Sequence, residues 1–193
     1  MHGTGRRRVL WLMLAFISLG CAHRTPRTTT PFPPPSTPAP FELRQRYSGT
    51  YVFAGGDSER AAVAAAVDRA VAQMSIFAIE IARSALLARA EIRASYGISF
   101  DDAGNIKVES PGEFPEVSPS DGTPVHVVNR LGDESELSQQ FIDGALVQSG
   151  RADDGGGSTT FELQTDETLI VRRVMESSQL PRPVEYALTY RRK

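Results

Sequence analysis

Adjacent carboxylates are the first residues of this chain with the chemistry to move protons or hold a hard cation. Asp101-Asp102 and Asp153-Asp154 have the pairing used in acid-base hydrolysis and in calcium coordination. Both pairs stand beside glycines in stretches that read as turns, where aspartate is favoured because its carboxylate bonds the local backbone. Beyond residue 40, His126 is the single histidine, so no imidazole cluster can hold a transition metal. A Ser-His-Asp set exists only on paper, since no G-x-S-x-G elbow exposes a serine. Gly55-Gly56 precedes a helical pattern and could cradle an anion, but no G-x-G-x-x-G or Walker pattern accompanies it, and strand termination accounts for the pair. The expectation is a non-enzyme with no catalytic residue, metal ligand or cofactor.

Recognition chemistry has more to work with. Arg172 and Arg173 are adjacent in the apolar run "TLIVRRVME", so on a strand one must point to each face. If the sheet closes, one guanidinium lies inside and requires a partner, either a carboxylate such as Glu185 or Glu162 or the head of an anionic ligand. The aromatic residues Tyr51, Phe53, Tyr96, Phe100, Phe141, Phe161 and Tyr186 fall on strand-like runs. They are the candidate walls of a chamber for a small apolar ligand, or else the filling of a solid barrel.

The elements that must position these residues follow from periodicity. "SGTYVFA" (48–54) is rich in β-branched and aromatic residues and predicts a strand ending at Gly55. Asp57 or Ser58 suits an N-cap, Glu59 suits the positive helix end, and Val63, Val67, Val71, Met74, Ala78, Ile81 and Ala85 recur in steps of three and four. One helix over about 58–88 is predicted. Its second half is apolar around much of its circumference and needs burial on more than one side, in its own fold or against a partner or membrane surface.

After residue 90 the period falls to two. Tyr96, Ile98 and Phe100 share a face, "DAGN" (102–105) turns the chain into "IKVES", and 111–124 with its four prolines reads as a loop. "VHVV" (125–128) follows, then a hairpin across Asp143-Gly144, the pair favoured in a type I′ turn. "DDGGG" (153–157) reads as a floppy turn before "STTFELQ", Asp166-Glu167 as a tight turn before "TLIVRRVMES", and "VEYALTYRR" as the last strand. The predicted class is mainly β with one long helix inserted after the first strand. Eight or nine antiparallel strands with short links form an up-and-down barrel, or a strongly curved half-barrel with the helix in its concavity.

Ahead of this domain (41–193) the chain has a different character. Arg6, Arg7 and Arg8 precede an apolar run, Val9 to Gly20, too short to span a bilayer and patterned as a secretory signal over residues 1–20. Residues 21–40 hold Pro26, Pro31, Pro33, Pro34, Pro35, Pro38 and Pro40 among threonines, a composition that cannot pack a core. This tether should sample polyproline II and reach up to roughly 60 Å. Its Pro31 and Pro34 also form a P-x-x-P that a proline-reading domain could bind. The net charge of −2 becomes more negative once the three arginines leave, and no basic stripe with interleaved aromatics exists, so nucleic acid is not an expected partner.

Two resemblances add to this reading. Ser18-Leu19-Gly20-Cys21 resembles the lipobox of bacterial lipoproteins, with Ser18 where that family more often has leucine. The resemblance implies lipidation of Cys21, the only cysteine, anchoring in the cell envelope, and sorting to the outer membrane because Ala22 stands where aspartate would signal retention. Gly49-Thr50-Tyr51 on the first strand and Arg191 at the end of the last resemble the lipocalin-like or calycin barrels, which often have Gly-x-Trp there and a basic residue packed over the aromatic. That likeness implies a binding chamber for small apolar ligands. Two functions therefore stay open: a tethered binding module, or an envelope interaction protein, for example inhibitor-like, with a solid barrel and loops that meet a protein partner.

Overall fold

The computed structural model describes residues 31–128, 132, 134–153 and 155–193. The signal-like segment, Cys21 and the first part of the tether lie outside the described residues, as does Asp154. The order is α1 (Phe41–Tyr47), β1 (Gly49–Phe53), α2 (Asp57–Val71), α3 (Ile76–Arg89), β2 (Ser95–Phe100), β3 (Asn105–Glu109), β4 (Glu116–Pro119), β5 (Val125–Val128), β6 (Glu134–Ile142), β7 (Ala145–Ala152), β8 (Gly155–Thr165), β9 (Thr168–Ser177) and β10 (Val184–Arg192).

The strands form one antiparallel sheet in the order β4-β3-β2-β1-β10-β9-β8-β7-β6-β5. Consecutive strands pair throughout except β4 and β5, and β1 joins the two ends of the chain by pairing with both β2 and β10. The remaining seam, between the β4 and β5 edges, is bridged rather than laddered. Asp121 pairs with Gln140, Gly122 N–H donates to the Gln139 carbonyl (3.0 Å), and Ser118 Oγ lies 3.0 Å from Gln139 Oε1. The result is a nearly closed ten-stranded barrel, larger than the eight or nine strands expected.

The additional strand is β4, inside the stretch expected to be a loop. Pro115 and Pro119 hide it from pattern reading, yet an edge strand tolerates proline because one side of it donates no ladder bonds. The glycines read as a floppy turn are also strand: Gly155, Gly156 and Gly157 pair with both β7 and β9. A Cβ on Gly155 or Gly157 would press into the carbonyl oxygens of Glu176 or Val174, so the backbones meet there only because no side chain intervenes. The Asp143-Gly144 turn is as expected, with φ of 51° and 82° at the two residues.

The long helix is two helices. It breaks over residues 72–75, and Ser75 takes extended angles (φ −66°, ψ 151°) at the start of α3. The cap of α2 is Gly56, not Asp57 or Ser58, and neither helix has a side-chain cap bond. Glu59 instead ties α2 to the barrel by accepting from Thr189 N–H (2.8 Å) and Thr189 Oγ1 (2.7 Å). Its carboxylate fills the space beside Gly55, so the glycine pair faces an anion that the chain supplies itself.

Val63, Ala66, Val67, Ala70 and Val71 of α2 are buried in one core with Tyr47, Tyr51, Tyr190, Leu169 and Leu188. Burial of α3 on several sides, the expectation for the apolar half, is not met: only Ala78 and Leu86 are buried, while Ile76 and Phe77 are 83% and 86% exposed. The break explains this, because α3 folds back along α2, held by Arg83 to Asp68 at 2.6 Å, and offers the core a single face.

Candidate functional site

Cross-strand register sorts the inner wall into layers, because directly opposed residues share a face. Lowest in the barrel, Leu163, Leu169, Tyr190 and Phe53 form a row. Above it Phe141, Leu146, Phe161, Val171 and Leu188 are mutually paired across β6 to β10. These two rows are apolar apart from the Tyr190 hydroxyl, which donates to the Arg93 carbonyl (2.9 Å). The next row changes chemistry completely: Gln139, Gln148, Thr159, Arg173 and Tyr186 are aligned across the same five strands. Above this polar belt come Leu137, Gly150, Gly157, Met175 and Val184.

A polar belt inside a barrel must satisfy itself or bind something that does. Its β6–β7 part is satisfied. Ser118 Oγ meets Gln139 Oε1, Gln139 Nε2 donates to Gln148 Oε1 (3.2 Å), and Gln148 Nε2 donates to Glu116 Oε2 (2.5 Å), a chain that crosses the seam and ends on a carboxylate. Glu116 belongs to the inner face by register, opposite Val108, which is itself opposite Ile98.

The β9–β10 part is less complete. Arg173 is hydrogen-bonded to Tyr186, and its Nη1 reaches the Arg89 carbonyl at 3.5 Å. Tyr186 hydroxyl lies 3.4 Å from the Ala90 carbonyl, so the end of α3 roofs the pair. Burial raises the pKa of Tyr96 and of Tyr186, which keeps both hydroxyls protonated and able to donate. None of the ion pairs among the described residues includes Arg173. A guanidinium on the inner wall with no ion-paired carboxylate is suited to a carboxylate or phosphate arriving from outside.

Arg172 faces outward and pairs with Glu162 at 3.3 Å; Arg173 is thus the inward arginine, and Glu162 is not its partner. Glu185 is exposed on the outer face of β10. Of the aromatic wall, Tyr51 and Phe161 are fully buried in packed core, and Tyr96 packs edge-on against Phe161 (centroids 5.2 Å). Phe141 stacks with Phe100 and meets Tyr47 edge-on, and Phe53 packs against Tyr190 under the Arg60 guanidinium. These residues fill the lower barrel, so among the expected site residues Arg173 and Tyr186 are the two that come together in the belt. The basic residue over Tyr51 is Arg192, not Arg191: Arg191 opposes Val52 and is exposed.

Sequence reading missed Glu116, Gln139, Gln148 and Thr159. A signal existed, since Gln139 alternates with Leu137 and Phe141, Gln148 with Leu146, and Thr159 with Phe161. Polar residues at inward positions of apolar strands mark an interior site, but only the register shows that they sit at one height.

At the opposite end α1 closes the barrel. Tyr47 hydroxyl reaches the carbonyls of Gly144 (2.8 Å) and Phe161 (3.1 Å), and a cleft of about 380 Å³ runs beside it between Arg46, Asp143 and Glu162.

No protein-family model matches the chain, and the comparison with curated proteins finds no match. Among solved structures, the chain is similar to the REP1-NXSQ fatty acid transporter at 12% identity with a TM-score of 0.45, over 76% of this chain and 95% of that one. Lipid binding protein 8 of Caenorhabditis elegans is similar at 8% identity and a TM-score of 0.46, over 77% of this chain and 96% of its own. The Schistosoma mansoni fatty acid binding protein, in complex with arachidonic acid, is similar at 10% identity and a TM-score of 0.46, over 78% of this chain and 98% of that one.

Proposed function

We propose that residues 41–193 form a non-catalytic binding module for a small amphiphile with an anionic head, held at the cell envelope through lipidated Cys21. The observation that supports this most is Arg173, which lies on the inner wall, is bonded to Tyr186 and takes part in no ion pair of the described residues. An anion there would gain charge-assisted bonds and offset the cost of a desolvated guanidinium. The apolar part of the ligand lies above the belt beside Gly150, where a Cβ would meet nothing nearer than 4.0 Å, in the row of the half-buried Met175.

Titration calorimetry of the full chain with oleate tests the reading. Binding is expected for the parent chain and for Arg172→Met, and a loss of at least about tenfold for Arg173→Met. Equal binding by both variants, or none by the parent, overturns it. The exposed Ile76, Phe77 and Ile81 on α3 favour a second reading, an interaction module whose helical face meets an envelope protein. A chain that takes up no amphiphile but loses a partner on Phe77→Ser would support that reading instead.

A further inference from the structure

Glu116 is a second charge on the inner wall, joined to the belt through Gln148, and the anionic-head reading does not use it. It stands on the inner face of β4, is exposed, and receives one hydrogen bond, from Gln148 on the far side of the seam. Desolvation is the largest influence on its carboxyl and raises its pKa, with Gln148, Arg173 and Arg93 pulling the other way and Glu113 adding to the rise. Arg93 is engaged elsewhere, 2.7 Å from Glu113, and Glu116 forms none of the ion pairs of the described residues. Gln148, which donates to Glu116, lies in the same inward row as Arg173, two strands away across Thr159. Opposite charges thus stand at one belt of the inner wall and form no ion pair with each other among the described residues.

Two such charges left apart are costly unless a third body joins them. A simple carboxylate ligand would serve Arg173 and at the same time meet repulsion from Glu116. A ligand carrying an anion and an ammonium a few bonds apart would serve both, the ammonium donating to the free Oε1 of Glu116.

We propose that the ligand of this site is a zwitterionic amphiphile, its phosphate or carboxylate at Arg173 and its primary ammonium at Glu116. The proposal rests on the binding reading above and narrows its ligand class. It also gives the Ser118–Gln139–Gln148 chain a purpose, since donation by Gln148 fixes one carboxylate oxygen and leaves the other turned to the ligand.

The test uses the full chain and three probes of equal acyl length: oleate, oleoyl-lysophosphatidylglycerol and oleoyl-lysophosphatidylethanolamine. Calorimetry is expected to show the ethanolamine probe binding about tenfold tighter than the glycerol probe, the worth of one charge-assisted bond. Glu116→Gln should abolish that preference by weakening only the ethanolamine probe. Equal affinities in the parent chain, or a Glu116→Gln effect shared by all three probes, overturns the zwitterion proposal while Arg173-dependent oleate binding leaves the binding reading standing. Absence of binding by all three probes to a chain with native circular dichroism overturns both.

Discussion

Arg192 lies over the ring of Tyr51, its Cζ 4.9 Å from the centroid, and its Nη2 donates to the Tyr51 hydroxyl at 2.7 Å. The two residues are directly opposed in register across β1 and β10, so the last strand locks onto the first at the closed end of the barrel. The same guanidinium reaches the carbonyls of Ser48, Arg46 and Asp166, and thereby ties α1 and the β8–β9 turn to the seam between chain ends.

Replacing Arg192 by methionine should therefore lower stability by about 2 kcal/mol or more, from the lost cation–π contact and the orphaned carbonyls. Arg191→Met, one residue away on the exposed face, should stay within about 0.5 kcal/mol of the parent. Urea midpoints of the two variants, measured together, check the pair; equal midpoints would mean that the Tyr51 contact contributes nothing.

Gly49 makes that contact possible. Its φ of 154° is one that L side chains rarely adopt, and a Cβ there would stand 2.6 Å from Arg192 Nη1. Gly49→Ala should cost about 1–3 kcal/mol. Part of that cost is the clash, so Gly49→Ala should be milder in an Arg192→Met background, and a double-mutant cycle measures the coupling.

This corner shows how far the sequence could be read. An aromatic on β1 and a basic residue closing β10 are visible as Tyr51 and the terminal Arg191-Arg192, but which arginine packs depends on a register of one residue, and a one-residue slip exchanges the two faces. The Asp143-Gly144 hairpin, the 3.6-residue period of α2 and most strands are local properties and are legible. The break between α2 and α3 is not, because Ala72, Gln73, Met74 and Ser75 include neither proline nor glycine, and only tertiary packing ends the helix there. Arg173 as a candidate was legible from its adjacency to Arg172. The belt around it was not, since Gln139, Gln148 and Thr159 join Arg173 in one row only through three successive pairings.

Glu116 should leave a signature in the pH dependence of stability. Its folded-state pKa is raised above the ordinary glutamate value, chiefly by desolvation, so in the window between those two values the native chain holds more protons than the unfolded one. Stability attributable to this residue is then intact below about pH 4.5 and falls as pH rises through the folded pKa. Glu116→Gln removes the ionisation and keeps an acceptor for Gln148. The variant should match the parent at pH 4 and exceed it at pH 7.5, as read from urea midpoints; a variant less stable than the parent at pH 7.5 would show that the ionised carboxylate is a net stabiliser.

The two glycines above the belt separate room from fold. A Cβ on Gly150 would meet nothing nearer than the Glu136 carbonyl at 4.0 Å, whereas one on Gly157 would press into the backbone of Val174 and Met175. Gly150→Ala should leave stability within about 1 kcal/mol of the parent, while Gly157→Ala should destabilise by about 3 kcal/mol or prevent folding. Gly150→Leu then probes the chamber itself, because its side chain enters the space beside Met175 and Gln148 in the same stretch of inner wall. Its expected effect is a tenfold or greater loss of oleate affinity, with a urea midpoint near that of Gly150→Ala. Retained affinity at a parent-like midpoint would place the apolar part of any ligand elsewhere. Retained affinity with a collapsed midpoint would mean that the barrel repacks around the new side chain.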